Sequence, residues 1–146
     1  MEEDNQKTAL PTEESTPVVA PKKRTKKTKK NVPAGQLHIQ ATFNNTIVTV
    51  SDNTGAVLVA ASAGSSGFRG GKKGTAYAAG VAAEKALEIA KRDYGVNSVD
   101  VFVKGIGLGR DSAIRAASSN SISINSITDI TPVKHGGCRP KGERKP

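Results

Sequence analysis

The chain has 146 residues, enough for one domain with a single core. Lys and Arg total 22 against 13 acids, a net charge of +9, which marks an anionic partner such as nucleic acid or a membrane surface. One cysteine, Cys138, excludes an internal disulfide framework, and no stretch approaches the ~20 apolar residues needed to cross a bilayer, so a soluble chain in a reducing compartment is expected.

The charge is unevenly placed. Residues 1–35 hold eight bases and five acids (+3), residues 36–131 nine and seven (+2), and residues 132–146 five and one (+4). Residues 1–35 offer little to bury: an acidic lead with Glu2, Glu3, Asp4, Glu13 and Glu14 runs into Lys22, Lys23, Arg24, Lys26, Lys27, Lys29 and Lys30. Such a segment is expected to be disordered alone and to reach about 30 Å as a flexible coil, making the basic run an anchor for nucleic acid. The lead has neither the apolar region of a secretory signal nor the acid-poor composition of a transit peptide, so a cytoplasmic location is expected.

Ordered pattern begins at Gln36. Leu37, Ile39, Ala41 and Phe43 alternate with polar residues, and Ile47 to Val50 follow a two-residue Asn44-Asn45 turn, which reads as a β-hairpin. A second turn, Asp52-Asn53-Thr54-Gly55, leads into a third strand over Ala56–Ser62. Thr75 caps a predicted helix running to Tyr94, with Ala76, Ala79, Gly80, Ala83, Leu87, Ala90 and Tyr94 on one face and Glu84, Lys85, Glu88, Lys91 and Arg92 on the other. Gly95 supplies a left-handed stop. Val99, Val101 and Val103 predict a fourth strand, Asp111–Ser119 a short helix, and Ile122, Ile124, Ile127 and Ile130 a fifth strand. The order βββαβαβ gives an α/β domain over 36–131, a mixed five-stranded sheet with flanking helices, followed by a basic C-terminal extension over 132–146.

Two loops carry the chemistry. Gly64 to Gly74 holds five glycines with Arg69, Lys72 and Lys73 directly before the long helix, so backbone N–H groups, cations and a helix N-terminus converge as they do in phosphate sites. A solvated, flexible connection is the plainer reading of that loop alone. It is no nucleotide-hydrolase loop, because Lys73 stands where a Walker A motif needs Ser or Thr. Lys104-Gly105-Ile106-Gly107-Leu108-Gly109-Arg110 repeats the arrangement before the second helix. Its G-x-G-x-G spacing after a meander does not fit the dinucleotide fingerprint.

Other features are weaker. Asn44 and Asn45 suit a turn and also a phosphate or base edge. His38 reads as a half-exposed strand residue, since no nucleophile with an orienting acid accompanies it. His135 and Cys138 are two ligands where zinc needs three or four, so no metal or other cofactor is expected. A two-metal nuclease needs clustered carboxylates, and Glu84, Asp100 and Asp129 are scattered. Aromatics are too scarce for a base-stacking platform, and neither helix opposes a basic face to bulky apolar anchors, so RNA backbone is favoured over single-stranded bases or a membrane. The reading is non-catalytic RNA binding, with a free messenger-binding regulator as the rival.

The motifs taken together carry a resemblance. His38 to Asp52, Gly67-Phe68-Arg69-Gly70, Val81-Ala82-Ala83-Glu84, Lys104 to Arg110 with Ser112, Ile127 to Pro132 and His135 to Pro140 occur in the same order in the S-eleven family of small-subunit ribosomal proteins, of bacterial type. The chain resembles that family over about residues 35–141. The resemblance implies a ribonuclease H-like three-layer fold without that fold's activity, and a structural role on the platform of the small subunit, in contact with central-domain ribosomal RNA. It also implies a place near the messenger RNA exit and Shine-Dalgarno region, with the S-seven and S-eighteen proteins as neighbours and no homo-oligomer.

RNA contacts implied residue by residue are His38, Asn44, Asn45, Phe68, Arg69, Gly70, Lys72, Lys73, Thr75, Lys104, Gly105, Gly107, Gly109 and Arg110, with His135, Arg139 and Lys141 in the extension. Arg115, Lys134 and Arg144 are further basic candidates. The chain departs from the family at Ile106 and Leu108, where prolines are usual, so a less rigid loop is expected. It departs also at Gly74 and Ala76 in the helix start, and at Lys134 and Gly136.

Overall fold

The computed structural model describes residues 31–139 and residue 142. The basic run from Lys22 to Lys30, with Lys141 and Arg144, lies outside them. Five strands, β1 (Ala34–Ala41), β2 (Thr46–Asp52), β3 (Val57–Ser62), β4 (Ser98–Lys104) and β5 (Ser123–Asp129), and two α-helices, α1 (Ala76–Tyr94) and α2 (Gly109–Ser119), follow one another as βββαβαβ, with a short 3-10 helix at Gly70–Gly74 before α1.

The sheet order is β3-β2-β1-β4-β5. β2 runs antiparallel to β1 and β3, while β4 is parallel to β1 and β5 to β4. Four strands therefore share one direction, and both helical crossovers advance the same way across the sheet. Crossovers of one hand then place both helices on one face. The core agrees: Leu37, Ile39, Val48, Val50, Val59, Val99, Val101 and Val103 form a single cluster with Ala83, Ala86, Leu87 and Ala90 of α1 and Ala113, Ala116 and Ala117 of α2. α1 lies over β2 and β3, α2 over β1 and β5, and the two helices pack on each other.

The mixed five-stranded α/β sheet with flanking helices is as expected. The third layer implied by the resemblance is not found among the described residues, because no helix covers the sheet face that carries His38, Thr49 and Phe102.

Local chemistry explains the element ends. Thr75 has extended backbone, and its hydroxyl accepts from the Ala78 N–H, a side-chain cap on α1. Gly95 closes the helix at φ 69, ψ 29 with its N–H on the Lys91 carbonyl. The buried face of α1 is Ala78, Ala79, Ala82, Ala83, Ala86, Leu87 and Ala90, a nearly methyl-only surface that seats close to its neighbours. Gly80 is not part of that seat: a β-carbon there would meet nothing within 4 Å.

Three sequence expectations shift. Asn44-Asn45 is not a two-residue turn, since β1 ends at Ala41 and β2 starts at Thr46. The Thr42 hydroxyl donates to the Asn45 carbonyl (2.9 Å) and accepts from the Asn45 N–H (3.1 Å), closing a wider loop that turns Phe43 outward, 71% exposed. The second helix starts at Gly109, two residues before Asp111. In β5 the pairing slips between Val99 and Asp100, which leaves Asn125 unpaired against β4. That bulge accounts for the irregular spacing of Ile124 and Ile127, and Ile122 and Ile130 fall outside the strand.

Candidate nucleic-acid interface

In open α/β sheets, ligand sites form beyond the carboxyl ends of the parallel strands. Here those ends are Ala41, Ser62, Lys104 and Asp129, and four irregular segments meet beyond them: 42–45, 63–75, 105–108 and the chain after β5. This pole gathers Asn44, Asn45, Phe68, Arg69, Gly70, Lys72, Lys73, Thr75, Lys104, Gly105, Gly107, Gly109 and Arg110, and the extension bearing Lys134, His135 and Arg139 departs from it.

The glycines hold the segments together. A β-carbon on Gly74 would stand 2.1 Å from the Phe43 carbonyl oxygen, one on Gly107 2.3 Å from that of Thr42, and one on Gly109 2.3 Å from Thr46 Oγ1. The two glycine loops thus close onto the 42–45 loop from both sides. Their N–H groups are partly committed: Gly107 N–H donates to the Ala41 carbonyl (3.2 Å) and Gly105 N–H to Thr131 Oγ1 (3.0 Å). For these two residues, close packing and internal hydrogen bonding replace the phosphate cradle read from the sequence. The same bonds tie the loop that lacks the family prolines, and Ile106 and Leu108 point outward, 65% and 74% exposed.

The first loop is braced from within. Ser62 N–H donates to Ser65 Oγ (2.8 Å), Ser65 N–H to Ser62 Oγ (3.1 Å), and Phe68 N–H to the Ala63 carbonyl (3.2 Å). Phe68 meets Tyr77 edge-on with centroids 5.8 Å apart, and the Thr75 hydroxyl donates to the Lys72 carbonyl (2.8 Å). A braced backbone leaves Arg69 and Lys72 exposed and Lys73 half-buried on its alkyl stem, with Lys104 exposed at the end of β4. Among the described residues none of these four cations is ion-paired.

Arg110 differs. Its Nη1 donates to the Gly105 carbonyl and lies 3.4 Å from Thr131 Oγ1, and its Nη2 bonds the Asp129 carboxylate. Asp129 Oδ1 accepts from the Thr131 hydroxyl (2.6 Å) and N–H (2.9 Å). The Thr131 hydroxyl, then Arg110, then the Thr131 N–H lower the Asp129 pKa from 3.8 to about 2. Sequence reasoning missed Asp129 and Thr131 as members of the site. No local pattern marks them, since they join Arg110 across 19 and 21 residues of chain.

Two candidates stand apart from the pole. His38 lies mid-strand on the uncovered face, Nε2 3.3 Å from Ser51 Oγ and its ring stacked on Phe102 at 5.2 Å. A shallow depression of about 200 Å³ links His38 to Gln40, Ile47 and Lys104. Arg115 lines a groove of about 320 Å³ between the helices, with Tyr77, Gly80, Glu84 and Ser112. His135 and Cys138 gain no third ligand, and no cluster of metal-binding side chains occurs among the described residues.

Comparison with known proteins agrees with the motif order. Residues 35–145 match the family model described as ribosomal protein S11. The chain is 57% identical over 120 residues to the small ribosomal subunit protein uS11 of Borreliella burgdorferi (strain ZS7), covering 82% of this chain and 92% of the relative. It is 53% identical to uS11c of Cyanidioschyzon merolae (strain NIES-3377 / 10D), covering 82% and 98%. Identity to uS11 of Psychromonas ingrahamii is 50% over 125 residues, covering 86% and 96%. With three quarters of its length inside the family model and half or more of the aligned residues identical to these relatives, the chain belongs to the ribosomal protein S11 family.

Proposed function

We propose that this ribosomal protein, which is not an enzyme, is a cytoplasmic constituent of the small ribosomal subunit that stabilises folded ribosomal RNA of the central domain at the platform. In this reading it lies beside the messenger RNA exit and Shine-Dalgarno region, with the S-seven and S-eighteen proteins as neighbours. The observation that carries the reading is the convergence of Arg69, Lys72, Lys73 and Lys104 on one pole of the sheet, without an ion-pair partner among the described residues and mounted on braced backbone. Braced backbone confines what is lost on meeting a phosphate to the rotamers of these side chains, and their reach is set by the fold.

Asn44, Asn45 and Thr75 adjoin these cations, and the extension adds Lys134, His135, Arg139, Lys141 and Arg144. The basic run from Lys22 to Lys30 contributes sequence-independent attraction, as clustered cations do. His38 and Arg115 belong to secondary contacts on the uncovered sheet face and the helix groove.

Sedimentation of the tagged chain through gradients of cell lysate, with ribosomal RNA followed in each fraction, tests the assignment. Co-migration with the small subunit that persists at high salt is expected. Migration at the top of the gradient, free of ribosomal RNA, would favour a free messenger-binding regulator and remove the proposal.

A further inference from the structure

We propose that Arg110 and Asp129 form a latch that aims the C-terminal extension at RNA, so that Arg110 is a positioning residue and not itself a phosphate ligand. The inference rests on the RNA-binding reading above and revises the part Arg110 plays in it.

The geometry of the pole carries the argument. Sheet pairing ends at Asp129, and the Ile130 N–H on the Val103 carbonyl (2.8 Å) is the last backbone tie of the outgoing chain among the described residues. Beyond Thr131 every described residue is exposed, so the direction of Lys134, His135 and Arg139 is set at residues 129–131. At that point one guanidinium contacts three groups on two segments: the Gly105 carbonyl of the second glycine loop, and the Thr131 hydroxyl and Asp129 carboxylate at the root of the extension. Asp129 folds back onto Thr131, and Thr131 Oγ1 accepts from Gly105 N–H, which closes a ring between the second glycine loop and the root of the extension.

An incoming phosphate would meet a carboxylate already bonded to Arg110, with half of the Asp129 side chain exposed. The nearby negative charge opposes a second anion. The planar fork of arginine suits several acceptors at once, which the point charge of lysine does not. Lys72, Lys73 and Lys104 lack such a partner among the described residues, so the same pole separates cations free for phosphate from one committed to shape.

Two readouts on the full chain decide the matter: binding to in vitro transcribed small-subunit ribosomal RNA over a range of KCl, and the rate of tryptic cleavage after Lys134. Arg110→Gln, Arg110→Lys and Asp129→Asn are each expected to speed cleavage several-fold and weaken RNA binding, with the salt slope equal to that of the parent chain. The double variant R110Q/D129N is expected to be no worse than either single change. The near-isosteric Asp129→Asn keeps the test decisive should the arginine variants fold poorly.

A slope reduced by about 0.7–0.9, the share of one phosphate on a single strand or a duplex, in Arg110→Gln but not in Asp129→Asn would overturn the proposal. So would full rescue of RNA binding by Arg110→Lys, or cleavage in Asp129→Asn at the parental rate. Absence of RNA binding by the parent chain would instead remove the RNA reading, and the cleavage rates would still show whether the latch exists.

Discussion

The carbonyl oxygen of Ala41 lies against Gly105 so closely that a β-carbon on the glycine would stand 2.1 Å from it, and Gly105 holds φ +102. Both the space and the backbone angle exclude a side chain. Gly105→Ala is expected to cost at least about 2 kcal/mol and to lower the melting temperature by about 10 °C. At Gly71, where nothing lies within 4 Å of an added β-carbon and φ is not in the left-handed region, alanine is expected to change it by only a few degrees. Equal melting of the two variants would show that the second glycine loop is not wedged against the end of β1.

Gly80 offers the opposite case. It sits inside α1, facing the groove that Arg115 lines, with no atom near an added β-carbon. Helix propensity then acts alone, and Gly80→Ala is expected to stabilise the fold by about 0.5–1 kcal/mol in a denaturant titration. A loss of stability would mean that the groove is filled in the folded chain.

Thr46 is fully buried, and its hydroxyl has no hydrogen-bond partner among the described residues. Replacing it with valine keeps the shape and removes a desolvated polar group, so Thr46→Val is expected to be neutral or stabilising by up to about 1 kcal/mol. Marked destabilisation in the same titration would show that the hydroxyl has an acceptor or a bound water.

Acid is expected to open the Arg110–Asp129 contact late. The Asp129 pKa is lowered from 3.8 to about 2 on folding, so its contribution is fully present above about pH 4 and disappears as pH falls through the folded value. The amide resonance of Thr131, followed from pH 5 to pH 2, should hold steady and then shift with a midpoint near the lower figure. In Asp129→Asn that transition should be absent. A midpoint near 4 would mean that the carboxylate is not held in solution.

Local chemistry was legible in the sequence and long-range closure was not. Thr75 and Gly95 mark the ends of α1 because a cap uses only the residues beside it, and alternating valines announce β4 because one face of the sheet is dry. The basic loops were legible for the same reason, since glycine and cation neighbours lie within a few residues. The loop at Asn44-Asn45 was misjudged because its geometry is set by the hydroxyl of Thr42, which is ordinary in a strand pattern. The bulge at Asn125 depends on which residue of β4 it faces, and the Arg110 contact on an acid 19 residues away. The role of Gly105 and Gly107 is likewise fixed by what the chain at Ala41 and Thr42 brings against them.

The chain enters β1 beside the C-terminal end of α1, where the Val32 N–H donates to the Tyr94 carbonyl, and leaves β5 at the loop pole. Eight residues of strand at about 3.3 Å each separate the two points by about 25 Å. The described chain thus enters and leaves the domain at opposite poles. On the RNA-binding reading proposed above, RNA held at one pole would confine a second contact at the other to a small volume, raising its local concentration without any new contact. The sheet would then set the spacing between two RNA elements, as a strut of fixed length.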